Sequence, residues 1–201
     1  SQAVQKQGQW FVRGNHINVV AAVDLAFSEK KKADFTAIVV IGMDKDGFIY
    51  VLDIDQFKTE RISEIYAHIE ALYMRWNFRK IRMEATAGQA ATVRELRDQY
   101  IRPRGLALSV DEYKPTGAEG TKEERIQAAL QPRYDNLSVW HFKGGACQAL
   151  EDELKMRHPT HDDLNDALSS AVGFVHPPAR SASRRREPEV TSHSRFGGVA
   201  A

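Results

Sequence analysis

Three nearly unbroken apolar runs, joined by links too short to hold a crossover helix, constrain the fold of this chain more than any other feature. Ile17, Val19, Val20, Ala21, Ala22, Val23 and Leu25 form the first run, Phe35 to Gly42 the second, and Phe48 to Ile54 the third. Runs of this length without alternation fit strands covered on both faces. Asp44-Lys45-Asp46-Gly47 supplies a turn between the second and third. Parallel pairing needs a crossover of a dozen or more residues, so the three strands should be antiparallel neighbours. The same ground argues against a dinucleotide-binding βαβ start, which would also need a glycine-rich turn after the first strand.

The downstream pattern changes period. Ile62, Ile65, Tyr66, Ile69, Leu72, Tyr73 and Trp76 recur at three- and four-residue steps and predict a helix able to cover the sheet. A short strand, Lys80-Ile81-Arg82-Met83, ends at Glu84. A helix from within 88–92 toward Tyr100 follows, then a fifth strand at Leu106 to Val110. Thr121 and Glu124 have capping-box spacing for a helix through Leu130. Leu137 to Trp140 predicts an edge strand, and 146–156 another helix. The last helix, 161–175, carries Leu164, Ala167, Leu168, Ala171, Val172 and Val175 on one side and is stopped by Pro177-Pro178.

This divides the chain into 1–16, a linker remnant or outer strand; 17–176, one α/β domain; and 177–201, a basic flexible tail. At 201 residues there is room for one well-packed domain. No run of about 18 apolar residues occurs, and the polar start lacks a signal-peptide core, so no membrane role is expected. Cys147 is the only cysteine, which excludes an intrachain disulfide and a thiolate zinc cluster and is compatible with a reducing cytoplasm. The formal charge of +1 is uneven: five Arg and two Glu in 177–201 leave the first 176 residues at −2. A strongly basic DNA-holding face is therefore not expected, although bound metals can reverse the field of an acidic site.

The acids carry the chemistry. Asp24 and Glu84 each stand where an apolar strand ends, the place at which a sheet opens into a crevice. His161-Asp162-Asp163-Leu164-Asn165-Asp166-Ala167-Leu168 puts three more carboxylates at the start of the last helix. Together they would offer the hard oxygen ligands that Mg²⁺ or Mn²⁺ takes, and two such ions can stabilise the attacking and leaving oxygens of a phosphodiester. On a helical wheel Asp163 lies roughly 110° from the centre of the apolar stripe, Asp162 roughly 150° and Asp166 roughly 170°. Asp163 is thus the first choice as a ligand, with Asp166 one turn on. Thr160 and Asp163 also satisfy a capping box, and acids suit a first helical turn. The cluster alone leaves structural capping and metal ligation both open.

Lys122 and Arg125 share one helix face and are candidates for phosphate contact or charge neutralisation. Lys30, Lys31 and Lys32 form a candidate DNA-facing loop. His161 would orient a carboxylate, touch DNA, or simply start its helix. Arg184, Arg185 and Arg186 would grip DNA or a protein, or serve a solubilising end.

The strand ending Ala22-Val23-Asp24, the opening Asp34-Phe35-Thr36-Ala37-Ile38, the segment Ile81-Arg82-Met83-Glu84-Ala85 and the late Asp-Asp-x-x-Asp-Ala run resemble a specific family. It is the nuclease domain of the large terminase subunit of tailed bacteriophages, within the ribonuclease-H-like and resolvase-like group, over about residues 17–176. The resemblance implies a mixed sheet with three antiparallel strands first and helices on both faces. It implies Asp24, Glu84 and Asp163 as catalytic metal-binding acids and Asp166 as an additional metal-binding acid, with two Mg²⁺ or Mn²⁺ ions. Double-stranded DNA would be cut during genome packaging, leaving a 5′-phosphate and a 3′-hydroxyl. Implied partners are an ATPase motor domain of the same protein, the portal and the small terminase subunit, at the procapsid in the host cytoplasm. Ala26-Phe27 stands where the family often has a glycine-containing turn. A Holliday-junction resolvase and a non-catalytic DNA- or protein-binding module of the same fold are the alternatives.

Overall fold

The structure, a computed structural model, describes residues 3–26, 35–86, 88–156 and 161–179. Lys30, Lys31 and Lys32, Thr160 and the arginines of the tail lie outside these residues. Two short outer strands, β1 (Val4–Lys6) and β2 (Gln9–Val12), form a hairpin that leads into β3 (Asn15–Asp24). The start of the chain therefore extends the sheet. β3, β4 (Thr36–Asp44) and β5 (Ile49–Phe57) pair antiparallel, as the short links require. The β4–β5 turn is held by Asp44, whose buried carboxylate accepts the N–H groups of Asp46 and Phe48 and the hydroxyl of Tyr50. Gly47 takes φ +87°, a conformation that favours glycine.

Helix α1 (Ile62–Trp76) crosses one face, ending at Asn77 in the left-handed region, and returns the chain to β6 (Lys80–Glu84) beside β3 in parallel. Next come α2 (Ala90–Glu95), a π-helical continuation over Leu96–Ile101, and β7 (Ser109–Tyr113), parallel to β6. The strand expected at 106–110 is thus shifted toward the C-terminus. Its edge position explains the shift: Asp111 and Glu112 are neutralised by Arg82 and Arg97, so the paired segment does not read as apolar. Helix α3 (Lys122–Asp135) starts with the expected capping box: the Thr121 hydroxyl accepts from Glu124 N and the Glu124 carboxylate from Thr121 N. β8 (Val139–Trp140) adds to β5 in parallel, and α4 (Ala146–Lys155) and α5 (Asp163–Phe174) complete the fold.

Strand alternation sorts the core into two layers. Odd positions of β3, Ile17, Val19, Ala21 and Val23, pack with Ile65, Tyr66, Ile69 and Leu72 of α1. Even positions Val20 and Ala22 pack with Leu164, Ala167, Leu168, Ala171 and Val172 of α5. Helices thus cover both faces of a mixed sheet. Among the described residues no helix is long and apolar enough to cross a membrane.

Candidate functional site

Asp24 follows Val20 and Ala22 at a two-residue step, which turns it toward the face covered by α5. On β6, Ile81 and Met83 face α1, so Arg82 and Glu84 face the other way. Arg82 confirms the direction, with its guanidinium 4.6 Å from the Phe174 ring near the end of α5. The parallel register pairs Ala22 with Arg82 and Val23 with Met83, and Asp24 and Glu84 are the next residues on each strand. Two acids sixty residues apart in sequence therefore end neighbouring strands on one side of the sheet.

Helix α5 brings the remaining acids to that end. Asp163 and Asp166, both in its first turn, are buried. The wheel placed Asp166 almost opposite the apolar stripe, yet its side chain is only 11% exposed. Its carboxylate meets the Lys122 ammonium at 3.1 Å; the same Nζ lies 3.2 Å from Asp162 and 3.6 Å from Asp24. α3 covers the side of α5 that a single helix's periodicity reads as outward. Arg125, one turn after Lys122, reaches Glu84 at 3.5 Å. The capping box that begins α3 at Thr121 thus sets two cations against four carboxylates.

His161 is farther out: its Nδ1 is 4.0 Å from Asp163, and its ring meets Phe35 edge-on at 5.2 Å. Gln89, which the sequence did not single out, is buried and ties the two strand ends together. Its amide donates to Leu25 O at 2.9 Å and its Oε1 accepts from the Thr86 hydroxyl at 2.7 Å. Glu153 was missed as well. Its signal was an acid on an apolar helical stripe, three residues after Leu150.

Crowding the acids has an electrostatic cost. Burial, then the carboxylate of Asp166, push the Asp24 carboxyl well above the ordinary carboxylate range; Asp163 and Glu84 add to this, and Lys122 opposes it. Burial and Asp166 likewise raise Glu84, with Arg125 and Lys122 opposing. Burial disfavours the Lys122 charge, but Asp24, Asp166 and Asp162 more than offset it and its pKa rises. Asp166 is the acid that acts on both strand-end carboxylates.

Oxygen-only donors of this kind suit a hard divalent cation, and such an ion would relieve the mutual repulsion that raises Asp24 and Glu84. Among the described residues no group of three or more His, Cys, Asp and Glu side chains is already arranged as a metal cage. Asp24 and Asp166 instead direct oxygens at Lys122. The donor set fits in kind and number, and its rotamers would have to turn from the ammonium.

The nuclease domain of human cytomegalovirus terminase has a similar fold, with a TM-score of 0.61 and 16% identity, over 79% of this chain and 83% of that one. The large terminase nuclease of the thermophilic phage G20c gives 0.60 and 13%, over 87% and 92%. Fowlpox virus resolvase, solved with Holliday junction DNA, gives 0.51 and 12%, over 77% and 97%. At such identities the likeness speaks for the fold. Among curated proteins none matches the sequence. A family profile described as Terminase RNaseH-like domain matches residues 21–173, from within β3 almost to the end of α5. With most of its length matched, the chain belongs to the terminase ribonuclease-H-like domain family.

Proposed function

We propose that the chain is a divalent-metal-dependent endonuclease that cuts double-stranded DNA during viral genome packaging, with Asp24, Glu84, Asp163 and Asp166 as the acids that hold Mg²⁺ or Mn²⁺, two ions in all. The observation that carries this reading is the meeting of acids from β3, β6 and α5 on one side of the sheet, around Lys122 and Arg125. When bound, the ions supply hydroxide near neutral pH and neutralise charge on the phosphate. Asp24 from β3, Glu84 from β6 and the α5 acids Asp163 and Asp166 would hold the ions. Lys122 and Arg125, released from the acids, contact the phosphate backbone and stabilise its developing charge. By the same reading the domain works beside an ATPase motor, the portal and the small terminase subunit, at the procapsid in the host cytoplasm.

The test is cleavage of supercoiled plasmid with Mn²⁺ or Mg²⁺, alongside a Mn²⁺ soak of crystals with anomalous scattering. Wild type should cut only with metal, show two peaks between Asp24, Glu84 and α5, and lose both on Asp24→Asn. Cleavage by Asp24→Asn at the wild-type rate, or no metal at those acids at millimolar Mn²⁺, would overturn the assignment. A strong preference for branched over linear DNA would favour the resolvase alternative.

A further inference from the structure

Among the described residues, the N-cap of helix α5 does not close its first turn with its own side chain. Asp162 stands at its N-cap but makes no cap hydrogen bond, and its carboxylate accepts instead from Lys122 at 3.2 Å. The orphan N–H groups that every helix start exposes must find acceptors elsewhere. They find one on α4. Glu153, buried at 9% exposure, accepts the Asn165 N–H through Oε2 at 3.1 Å, with the Leu164 N–H also turned toward it.

An acid is an expensive choice for that position. Cys147 and Leu150 occupy the neighbouring positions of the α4 stripe, and an apolar residue would continue it. Burial, with Asp163 and Asp162 adding to it, pushes the Glu153 carboxyl up to about 7, while the backbone N–H groups of Asn165 and Leu164 pull the other way. Packing of α4 does not call for this acid; the Asn165 N–H in the first turn of α5 does, and α5 carries Asp163 and Asp166 one and four positions past Asp162.

We infer that Glu153 is a positioning residue, closing the first turn of α5 from the neighbouring helix and so fixing the rotation and depth at which Asp163 and Asp166 face Asp24 and Glu84. This rests on the metal-binding reading of those acids. Removing a group that orients metal ligands from outside the coordination shell typically costs about 10–100-fold in metal affinity.

The experiment titrates Mn²⁺ calorimetrically into the full chain as wild type, Glu153→Gln and Glu153→Ala, and follows amide hydrogen exchange of Leu164 and Asn165 by NMR. Glutamine keeps a carbonyl acceptor and should keep the affinity within about threefold. Alanine should weaken it about tenfold or more, with the fold intact by circular dichroism. Both amides should be protected in wild type and Glu153→Gln and exchange faster in Glu153→Ala. Wild-type affinity in a folded Glu153→Ala overturns the inference. So does Asn165 exchanging at surface rates in wild type, a reading that stands even if the alanine variant does not fold. A wild type that binds no Mn²⁺ sinks the metal reading itself and the positioning role with it, a failure visible before any variant is compared.

Discussion

On the α1 face of the sheet, branched and aromatic side chains fill the core: Val19, Val23, Ile38, Val40 and Leu52 share a cluster with Ile65, Tyr66, Ile69 and Phe78. On the α5 face alanines recur on both sides of the contact, Ala22 and Ala37 from the sheet and Ala167 and Ala171 from the helix, all fully buried. Small facing side chains let a helix lie close to the strands, as interiors are filled to near-crystalline density either way. On this face the approach sets the carboxylates of α5 beside the ends of β3 and β6. One face is packed for stability, the other for approach.

The largest effect should come from the approach itself. Asp166→Asn removes the acid that acts on both Asp24 and Glu84. Plasmid cleavage should fall by about a thousandfold, the scale of losing a group that stabilises transition-state charge. The asparagine also relieves repulsion, so the thermal transition in EDTA should not fall by more than a few degrees. Asp163→Asn made in parallel ranks the two acids: the wheel favours Asp163, and the charge coupling favours Asp166. A smaller activity loss in Asp166→Asn than in Asp163→Asn would restore the order read from the wheel.

The next pair separates the faces. Ile69→Ala hollows the α1 layer and should cost about 2–5 kcal/mol of stability in a urea titration, while cleavage per folded molecule stays near wild type. Ala171→Leu overfills the α5 layer at a cost of about 1–3 kcal/mol. Its cleavage should drop by more than that stability loss explains, up to about a hundredfold, since a misplacement near 1 Å is enough. Equal activity losses in the two variants, once corrected for the folded fraction, would dissolve the distinction between the faces.

Much of the α1 layer was legible in the sequence. The three apolar runs set three antiparallel strands, the Ile62 to Trp76 stripe set α1, and Thr121 with Glu124 marked the start of α3. The acids were legible as candidates because strand ends and a helix start are readable locally. Their ranking was not. Asp166 is buried by α3, a layer that the periodicity of α5 cannot report, and β7 hides its pairing behind charges matched by Arg82 and Arg97. Gln89 and Glu153 act across 64 and 12 residues of chain, through a backbone carbonyl and a backbone N–H that nearly every residue type possesses. No local pattern encodes such a partner.

The last variant tests how strained the α5 face is. The folded-state pKa of Glu153, about 7, lies above its ordinary 4.5, so the folded protein holds this proton more tightly than the unfolded chain does. The stability tied to that proton is fully present below about pH 4.5 and is lost as pH rises through about 7. Burial is the main cause, and Asp163 and Asp162 are the charges that face it. Measured in EDTA, Glu153→Gln carries no charge there at any pH. The glutamine variant should therefore be the more stable by under about 1 kcal/mol at pH 5 and by about 3 kcal/mol at pH 8. Saturating Mn²⁺ should narrow that gap, because it neutralises the neighbouring carboxylates that oppose Glu153 ionisation. An equivalent residue on α1 has no such cost to relieve, so parallel pH curves for the two proteins would mean that the α5 face is no more strained than its opposite.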